Sequence, residues 1–325
     1  METPVLEPIS VRNTRGRLLV VATGLGLGGT ERHLSMVLPA LAAHGMEVRV
    51  VALRPGGRLT PVLRQGGVVV IEPGALPGLL RLIAGFLAVA WQCLSWKPTV
   101  VHFFLPEAYL VGGLAACLAG RRPRAMSRRS LNAYQAAHPV AAMVERWLHR
   151  HMDALLGNSR AVCAQLATEG GTAEQIGLLP NGMAMAAPRI GRRATRDALG
   201  IEDRALVVAC VANLIPYKGH ADLIEAFARA HGLLPDGGIL LLVGRDEGIA
   251  GALAERAMVL GIASHVRFLG ERSDVPELLA AADIFVLSAH EEGSPNAVIE
   301  AMSAGLATIV TDVGGSPEAV GAAGL

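Results

Sequence analysis

The stretch "SAHEEGSPNAVIEAMSAGLATIVTDVGGSPEAV", residues 288–320, contains the pattern that decides the fold. An apolar strand ends at Ser288, and Ser294 followed by Pro295 is typical of a helix start, with the serine as N-cap and the proline at the first helical position. Gly305 ends that helix, and the apolar run "LATIVTD" is predicted to be the next strand. A strand, a helix and another strand in this order predict parallel strands joined by a crossover helix.

The turn after the second strand repeats the same arrangement. Gly314 and Gly315 allow a ligand to approach the backbone closely, and Ser316 followed by Pro317 starts another helix. The free N–H groups and the positive dipole end of each helix would then lie at the carboxyl end of a strand. Such positions suit a phosphate group, so the stretch predicts an anion-binding site.

Strands and helices alternate in this way through the whole chain. The first half is predicted to contain these strands: Arg17–Ala22, Glu47–Ala52, Gly67–Ile71, Thr99–Phe104 and Ala154–Gly157. A second strand–helix series begins near Arg204. The alternation predicts an α/β protein of two doubly wound parallel-sheet, Rossmann-like domains that face a central cleft. We expect a loose N-terminal tail at residues 1–16, one domain at residues 17–185 and another at residues 186–325.

Composition and charge limit the class of protein. The 325 residues are 52% hydrophobic and 18% charged, which suits buried parallel sheets covered by helices and argues against disorder. With 29 basic and 28 acidic side chains, no net field attracts nucleic acid. The four cysteines are far apart in the sequence and indicate neither a disulfide framework nor a zinc site. A reducing cytoplasm is the expected location, with peripheral contact of the first domain at the inner membrane face left open.

One segment, "LLRLIAGFLAVAWQCLSW" at residues 79–96, is apolar enough to raise the question of membrane contact. Arg81 and Gln92 enclose an uninterrupted apolar run of only ten residues, which is too short to span a bilayer. We predict a helix buried in the first domain. A helix lying at a membrane surface is the alternative.

Near the start of the chain, Gly24, Gly26 and Gly29 form a G-x-G-x-x-G pattern after the first strand. A dinucleotide site normally places an acidic residue at the end of the following strand, but Arg54 stands there. An arginine would suit the 2′-phosphate of NADP, so that cofactor stays open. A glycine turn that lets another ligand approach the backbone fits the pattern equally well.

The carboxylates of the opening stretch add a more specific signal. Glu292 and Glu300 are separated by seven residues in "EEGSPNAVIEAMSAG", and "TDVGGSPE" follows. This combination resembles the retaining nucleotide-sugar glycosyltransferases of the GT-B fold, family 4 (glycosyl transferases group 1). Further blocks of the chain occur in that family's order: "GGTERHLSMVLPALAAHGMEVRVV", "VHFFLPEA", "NSRAV", "LPNGM", "NLIPYKGHADLIEAF", "LLLVG" and "VRFLGERSDVPELLAAADIFVLS". The resemblance covers roughly residues 17–325.

The resemblance implies a nucleotide-sugar site on the second domain. Glu300 would hold the ribose hydroxyls, Glu292 would bind hydroxyls of the donor sugar, and Lys218 would neutralise the departing diphosphate. Arg272 would lie against the base. A short backbone segment would face the sugar and the diphosphate: Gly293, Ser294, Pro295 and Asn296.

The resemblance also implies a reaction. A sugar would move with retention from a nucleoside diphosphate, with UDP expected, to a glycan or a lipid-linked acceptor held by the first domain. Gly28 and Gly29 would pass close to the diphosphate from that domain. The departing diphosphate needs positive charge and amide donors, so Lys218 and Glu292 are the predicted catalytic residues. No D-x-D motif occurs in the sequence, and we expect neither a metal nor a cofactor.

Some positions depart from the family pattern. Asn213 stands where many members have an arginine, so diphosphate binding would depend on Lys218 or on an arginine such as Arg245. Many members also carry an active-site histidine where this chain has Ser127, Arg128 and Arg129.

These two arginines suggest either a site for an acceptor phosphate or the donor diphosphate, or a solvated loop. His102, in "TVVHFF", is either a cleft residue or a hydrogen-bonded core histidine. His33, on the first helix, is interpreted as a surface residue.

The last expectations concern the end of the chain and the rival functions. Relatives continue beyond the position of Leu325, so the second domain is expected to be incomplete at its end. The closest alternative is a sugar-nucleotide epimerase or hydrolase of the same fold. A non-catalytic nucleotide-sugar-binding remnant and an NADP-dependent oxidoreductase are the others.

Overall fold

The computed structural model of the chain describes residues 16–131, 133–183, 187–234 and 238–323. The chain divides between Met183 and Ala184 into two compact units, and each unit is built on one parallel sheet. The predicted tail lies outside the described residues except for Gly16, and so does the predicted boundary at residues 185 and 186. The expectation of an incomplete chain end also falls on residues outside the described part.

The first unit contains seven parallel strands: β1 Arg17–Ala22, β2 Glu47–Ala52, β3 Val69–Ile71, β4 Val100–Phe104, β5 Arg124–Arg128, β6 Ala154–Gly157 and β7 Ile176–Leu178. Their order in the sheet is β3-β2-β1-β4-β5-β6-β7. The order reverses between β1 and β4, where Val20 lies beside His102. Ligands of open α/β sheets bind at the carboxyl ends of the strands at such a reversal.

Within the described residues, six α-helices connect these strands: α1 Gly29–Ala43, α2 Thr60–Gln65, α3 Gly78–Trp91, α4 Pro106–Leu118, α5 Pro139–His149 and α6 Arg160–Thr168. They cover both faces of the sheet. On β1, Leu19 and Val21 belong to the core that α3, α4 and α5 complete, whereas Val20 packs with Leu34 of α1 in a second core. Burial on both faces explains why β1 is a continuous apolar run rather than an alternating one.

The second unit contains a five-stranded parallel sheet of order β10-β9-β8-β11-β12. Its strands are β8 Val207–Val211, β9 Ile239–Val243, β10 Val266–Gly270, β11 Ile284–Leu287 and β12 Ala307–Val310. Its helices are α7 Arg192–Leu199, α8 His220–His231, α9 Ala250–Val259, α10 Val275–Ala281, α11 Asn296–Ser303 and α12 Ser316–Val320. The order reverses between β8 and β11. The predicted α/β class, with two doubly wound parallel sheets, is confirmed.

Two strands of the first unit were missing from the sequence prediction. β5, with the sequence RAMSR, has charged residues at both ends, and β7 has only three residues. The pattern of β5 is not apolar because tertiary partners satisfy its arginines: Arg124 donates to Cys117, and Arg128 lies between two glutamates. The predicted exposed loop at Arg128 is therefore wrong.

Helix α3 corrects the prediction of a buried helix. Its inner face packs closely, since a Cβ at Gly85 would lie 2.5 Å from Leu53 Cδ2, and Val89 is fully buried. Its outer face is apolar and each of these side chains is at least 46% exposed: Leu79, Leu80, Ile83, Leu87 and Trp91. Apart from Arg81, which pairs with Glu107, the helix is apolar on all sides, so its sequence does not show which face is covered. With the turn that follows it, Gly78–Trp96 is also the one helical segment of the described residues that has the length and composition of a membrane span.

Candidate functional site

The carboxyl edge of the second sheet collects the predicted donor-site residues. Asn213 and Lys218 follow β8, Arg272 follows β10, and Glu292 follows β11. Gly314 follows β12, the neighbour of β11. Since all five strands are parallel, these residues lie along one edge of the sheet, around the reversal between β8 and β11.

At the centre of this edge, the ammonium of Lys218 donates a hydrogen bond to the carboxylate of Glu292. Both side chains are mostly buried, with 17% and 11% of their surface exposed. Lys218 ends a short 3₁₀ turn, Pro216–Lys218, and its ammonium lies 5.2 Å from the centre of the Tyr217 ring. The structure thus brings together the two predicted catalytic residues, which are 74 positions apart in the sequence.

Two glycines hold the backbone around this ion pair. Gly219 has φ +67°, and a Cβ there would lie 1.9 Å from the carbonyl oxygen of Ser288. Gly314 has φ +53°, and a Cβ there would lie 1.8 Å from the carbonyl oxygen of Glu292. Only glycine permits both the left-handed conformation and the close approach, so the turns after β8 and β12 are fixed against the loop after β11.

Helix α11 begins next to Glu292 but differs in detail from the prediction. The helix starts at Asn296, and Pro295 is its N-cap without a side-chain hydrogen bond. Ser294 is therefore not the cap, because the backbone turns into the helix two residues later. Gly293 and Ser294 precede the helix start, and Glu300 lies on its second turn. The N-terminus of α11 therefore lies at the carboxyl edge of the sheet, where its dipole favours an anion.

The other predicted donor residues have local partners. The Arg245 N–H donates to Asn213 Oδ1 over 3.2 Å, which fixes the asparagine at the end of β8. The Arg245 guanidinium pairs with Glu247 in solvent, so its charge is partly compensated. The Arg272 Nε donates to Asp274 Oδ1 over 2.7 Å, and the pair is half-exposed.

The opening glycines of the first unit form an open turn between β1 and α1. Gly24, Gly26 and Gly28 all have negative φ, and no atom lies within 4 Å of a Cβ placed on Gly26. Gly28 is the N-cap of α1, and Gly29 is its first residue. Gly26 therefore keeps space next to the backbone, whereas a Cβ at Gly28 would lie 2.4 Å from the Glu31 carboxylate. Arg54, which would bind the 2′-phosphate of NADP, is already paired with Glu107 over 2.8 Å.

Arg128 lies in a buried ion-pair cluster. Its guanidinium donates to Glu169 over 2.7 Å and to Glu145 over 3.3 Å, and His149 Nε2 lies 3.2 Å from Glu169. Burial alone would raise the pKa of Glu169, but the hydrogen bond with His149 and the charge of Arg128 outweigh it and lower that pKa. Glu145, His149 and Glu169 offer ligand atoms within 4.8 Å of one another, as a metal would require, yet the Arg128 cation occupies their centre. The expected phosphate contact of Arg128 is not supported.

Arg129 differs from its neighbour. Its two terminal nitrogens are buried and have no hydrogen-bond partner among the residues that the structure describes. His102 Nε2 lies 2.8 Å from Ser127 Oγ, so His102 is a hydrogen-bonded histidine of the sheet. His33 is only 8% exposed, and the expectation of a surface residue is wrong because α1 turns it toward the sheet. Sequence reasoning also missed Thr23 and Asn158 beside this group; their positions directly after β1 and β6 were the available signal.

Two family models match the chain. Residues 27–186 match the model described as Glycosyltransferase Family 4, and residues 205–325 match the model described as Glycosyl transferases group 1. These matches cover most of both units. The chain belongs to the family 4 glycosyltransferases of the GT-B fold, and the alternative of an NADP-dependent oxidoreductase is not supported.

Individual relatives are similar over part of the chain. A GDP-mannose-dependent monoacylated alpha-(1-6)-phosphatidylinositol monomannoside mannosyltransferase of Corynebacterium glutamicum is 34% identical over 139 residues, which is 40% of this chain and 35% of the relative. A UDP-Gal:alpha-D-GlcNAc-diphosphoundecaprenol alpha-1,3-galactosyltransferase of Escherichia coli is 31% identical over 147 residues, or 44% of this chain and 38% of the relative. The matched segments thus span well under half the length of these two enzymes.

A solved structure extends the similarity over almost the whole fold. Anabaena Alr3699/HepE, crystallised in complex with UDP and glucose, matches with a TM-score of 0.80 at 23% identity. The match covers 93% of this chain and 82% of that chain. At this level of identity, the similarity shows the shared fold.

Proposed function

We propose that this protein transfers a sugar, with retention and without a metal, from UDP-sugar to a glycan or a lipid-linked acceptor. The observation that carries the proposal is the mostly buried Lys218–Glu292 pair at the strand reversal of the second sheet, next to the start of α11. UDP is favoured because the Escherichia coli relative is named for UDP-Gal and HepE was crystallised with UDP. The Corynebacterium relative is named for GDP-mannose, which is the competing donor class.

The ion pair suggests how the donor would be activated. A diphosphate at this edge would compete with Glu292 for the ammonium of Lys218, and two phosphate groups offer more negative charge than one carboxylate. Glu292 would then be released to accept hydrogen bonds from sugar hydroxyls. Lys218 and the N–H groups of α11 would stabilise the charge that develops on the leaving diphosphate. The acceptor would attack from the face that the nucleotide leaves, and a donor phosphate oxygen would take its proton.

The first prediction tests this site with the only two lysines in the chain. Lys218→Gln should weaken UDP binding at least tenfold and slow UDP release from UDP-sugar by about 10²–10³-fold, because it removes one group that stabilises developing charge. Calorimetry with UDP, GDP and ADP and a UDP-release assay in EDTA measure both effects. Glu300→Gln should also weaken UDP binding.

Lys97→Gln is the matched control, since Lys97 is exposed in the first unit. It should bind UDP like the wild type. Unchanged UDP binding by Lys218→Gln would contradict the assignment of the site. Tighter binding of GDP than of UDP would leave the transferase proposal intact but overturn the choice of UDP.

We also propose peripheral membrane contact through the outer face of α3. Leu79, Leu80, Ile83, Leu87 and Trp91 fall within an arc of about 120° at 100° per residue, and no charged residue interrupts it. Exposed apolar surfaces of this size in soluble proteins mark interaction sites.

Charge favours an anionic lipid surface as the partner of this face. α4 packs between α3 and α5, and α5 exposes Val140, Met143 and Trp147 beside Arg146 and Arg150. Apolar side chains flanked by arginines are typical of helices that lie in the interface of an anionic bilayer. A lipid-linked acceptor would also be found there.

The second prediction tests this contact by vesicle co-sedimentation. Leu87→Asp should lower the partitioning to vesicles of phosphatidylglycerol and phosphatidylcholine about tenfold, because it removes one large apolar contact and adds a negative charge. Leu233→Asp is the matched control, since Leu233 is 87% exposed in the second unit. No binding of the wild type, or a dimer in sedimentation that Leu87→Asp dissociates, would show that the membrane proposal is wrong.

A further inference from the structure

A buried cation without a partner lies at the carboxyl edge of the first sheet. Arg129 directly follows β5, and its Nη1 and Nη2 atoms are shielded from solvent without a hydrogen-bond partner among the described residues. The adjacent Arg128 shows the usual solution, with two carboxylates around its guanidinium. Arg129 has no such carboxylate within the described part of the chain, and burial lowers its pKa to about 10. A cation taken out of water costs free energy unless an anion and hydrogen bonds compensate it.

The groups around Arg129 are neutral donors and acceptors. The charge of Arg129 acts on His33 of α1 and on His102 of β4. Burial and then that charge lower the pKa of His33 to about 4 and that of His102 to about 3. Both imidazoles are therefore neutral near pH 7. His33 is hydrogen-bonded to the backbone of Gly182, and His102 Nε2 lies 2.8 Å from Ser127 Oγ.

Further polar atoms at the same strand ends are also unsatisfied. Thr23 Oγ1, after β1, and Asn158 Oδ1, after β6, are buried and have no partner within the described residues, and the same is true of His33 Nδ1. The Asn158 amide donates to the carbonyl oxygen of Arg129 over 3.1 Å, so the two turns are held together. Orphaned polar atoms at the same sheet edge as an uncompensated cation are groups that a bound anion and its waters would satisfy.

A small pocket lies between the end of β5 and the start of α4. Arg129 contributes to its wall together with Ser127 and Arg128, whereas His33 and His102 do not line it. Glu145 also reaches it, but its carboxylate already accepts hydrogen bonds from Arg128, Tyr134 and Gln135. The start of α1, with Gly28 as N-cap and Gly29 as the first helical residue, lies at the same edge of the sheet, and a helix N-terminus favours an anion.

We propose that Arg129, together with His33 and His102, binds a phosphate group in the first unit. A guanidinium fork binds two oxygens of a phosphate at once, and the two neutral imidazoles add no charge that would repel the phosphate or compete for it. The phosphate belongs either to the donor diphosphate or to an anionic acceptor. This assignment of its source rests on the proposed function, whereas phosphate binding by Arg129 does not. The phosphate-binding role that the sequence suggested for both Arg128 and Arg129 is thus assigned to Arg129 alone.

The third prediction separates this role from a structural one. Inorganic phosphate should raise the melting temperature of the wild type relative to sodium chloride at equal ionic strength. Arg129→Met should raise the melting temperature without phosphate, because it removes an uncompensated buried charge, and should abolish the phosphate response. Arg129→Lys keeps the charge but loses the fork, so it should weaken phosphate binding at least tenfold. Arg122→Met, at an exposed arginine of the same unit, is the control and should retain the response.

Two further ligands identify the source of the phosphate. A tenfold loss of UDP affinity in Arg129→Lys would assign the site to the donor diphosphate. Unchanged UDP affinity, with weaker binding of a short-chain polyprenyl phosphate in detergent, would assign it to the acceptor. Lys218→Gln should keep its response to inorganic phosphate, so a failure of the donor site is distinguishable from a failure of this one. A less stable Arg129→Met together with an unchanged response to phosphate in Arg129→Lys would overturn the proposal.

Discussion

At the scale of single residues, Arg128 and Arg129 show how neighbours with the same side chain take different roles. Arg128 points into a cluster with Glu145 and Glu169, whereas the terminal nitrogens of Arg129 meet no partner among the described residues. The sequence does not distinguish the two arginines, because the partners of Arg128, Glu145 and Glu169, are 17 and 41 positions away from it. Only the contacts of the folded chain assign one to stability and the other to a ligand.

The fourth prediction concerns the stability that Arg128 provides. Arg128→Met should lower the free energy of unfolding at pH 7 by about 3–5 kcal/mol, because it leaves two buried carboxylates without their cation. The folded pKa of Glu169 lies below its ordinary value of 4.5, so the stabilisation is complete above that pH and is lost as the pH falls through the lowered value. Urea unfolding at a series of pH values should therefore show the two proteins converging in acid.

Arg122→Met is the control for this measurement. Arg122 pairs with Asp153 at the surface, with 62% of the arginine side chain exposed, so its loss should change stability little. Equal effects of the two substitutions at pH 7, or a gap that widens in acid, would contradict the role assigned to Arg128.

At the scale of secondary-structure elements, turns rather than helices and strands fix the donor site. The strand β11 and the helix α11 deliver Glu292 and the helix N-terminus to the same edge, but the turn after β12 holds the Glu292 backbone in place through Gly314. The same reasoning applies to Gly219 against Ser288. The sequence indicated that Gly314 allows a close approach; it did not indicate that the approaching group is protein backbone rather than ligand.

The fifth prediction tests this turn. Gly314→Ala should lower the free energy of unfolding by at least about 1–2 kcal/mol for the left-handed conformation alone, with a further cost from the contact with the Glu292 carbonyl. UDP binding should weaken as well, since Glu292 moves. Gly251→Ala is the matched control: no atom lies within 4 Å of its Cβ, and it is part of α9, so the substitution should be neutral or stabilising by up to about 1 kcal/mol. Equal stability of both variants in urea would refute the account of the turn.

At the scale of the whole molecule, the two units use one architecture with different chemistry at their carboxyl edges. The second sheet presents an ion pair, Lys218 with Glu292, which is the proposed diphosphate site. The first sheet presents Arg129 among neutral histidines. In each sheet these charged residues lie near the reversal of strand order, where the loops diverge and leave room for a ligand. The reversal lies between β1 and β4 in the first sheet and between β8 and β11 in the second.

The sequence by itself determined the class of this protein. Apolar runs such as β1 and β8 are local and long enough to predict parallel strands, and the spacing of Glu292, Glu300 and Lys218 in their motifs predicted the family that the comparisons confirmed. The motif positions also predicted that these side chains would share one sheet edge, since strand ends of a parallel sheet do so without further information. Periodicity and turn residues act over a few positions, which is why these features can be inferred without tertiary structure.

Only the tertiary structure decided which charges are compensated and which apolar faces are covered. β5 escaped prediction because its arginines are satisfied by residues from other elements, and the outer face of α3 is exposed although its sequence resembles a core helix. The start of α11 at Asn296 rather than Pro295 likewise follows from the loop that holds Glu292. Burial and pairing depend on contacts between distant parts of the chain, and local sequence carries no record of those partners.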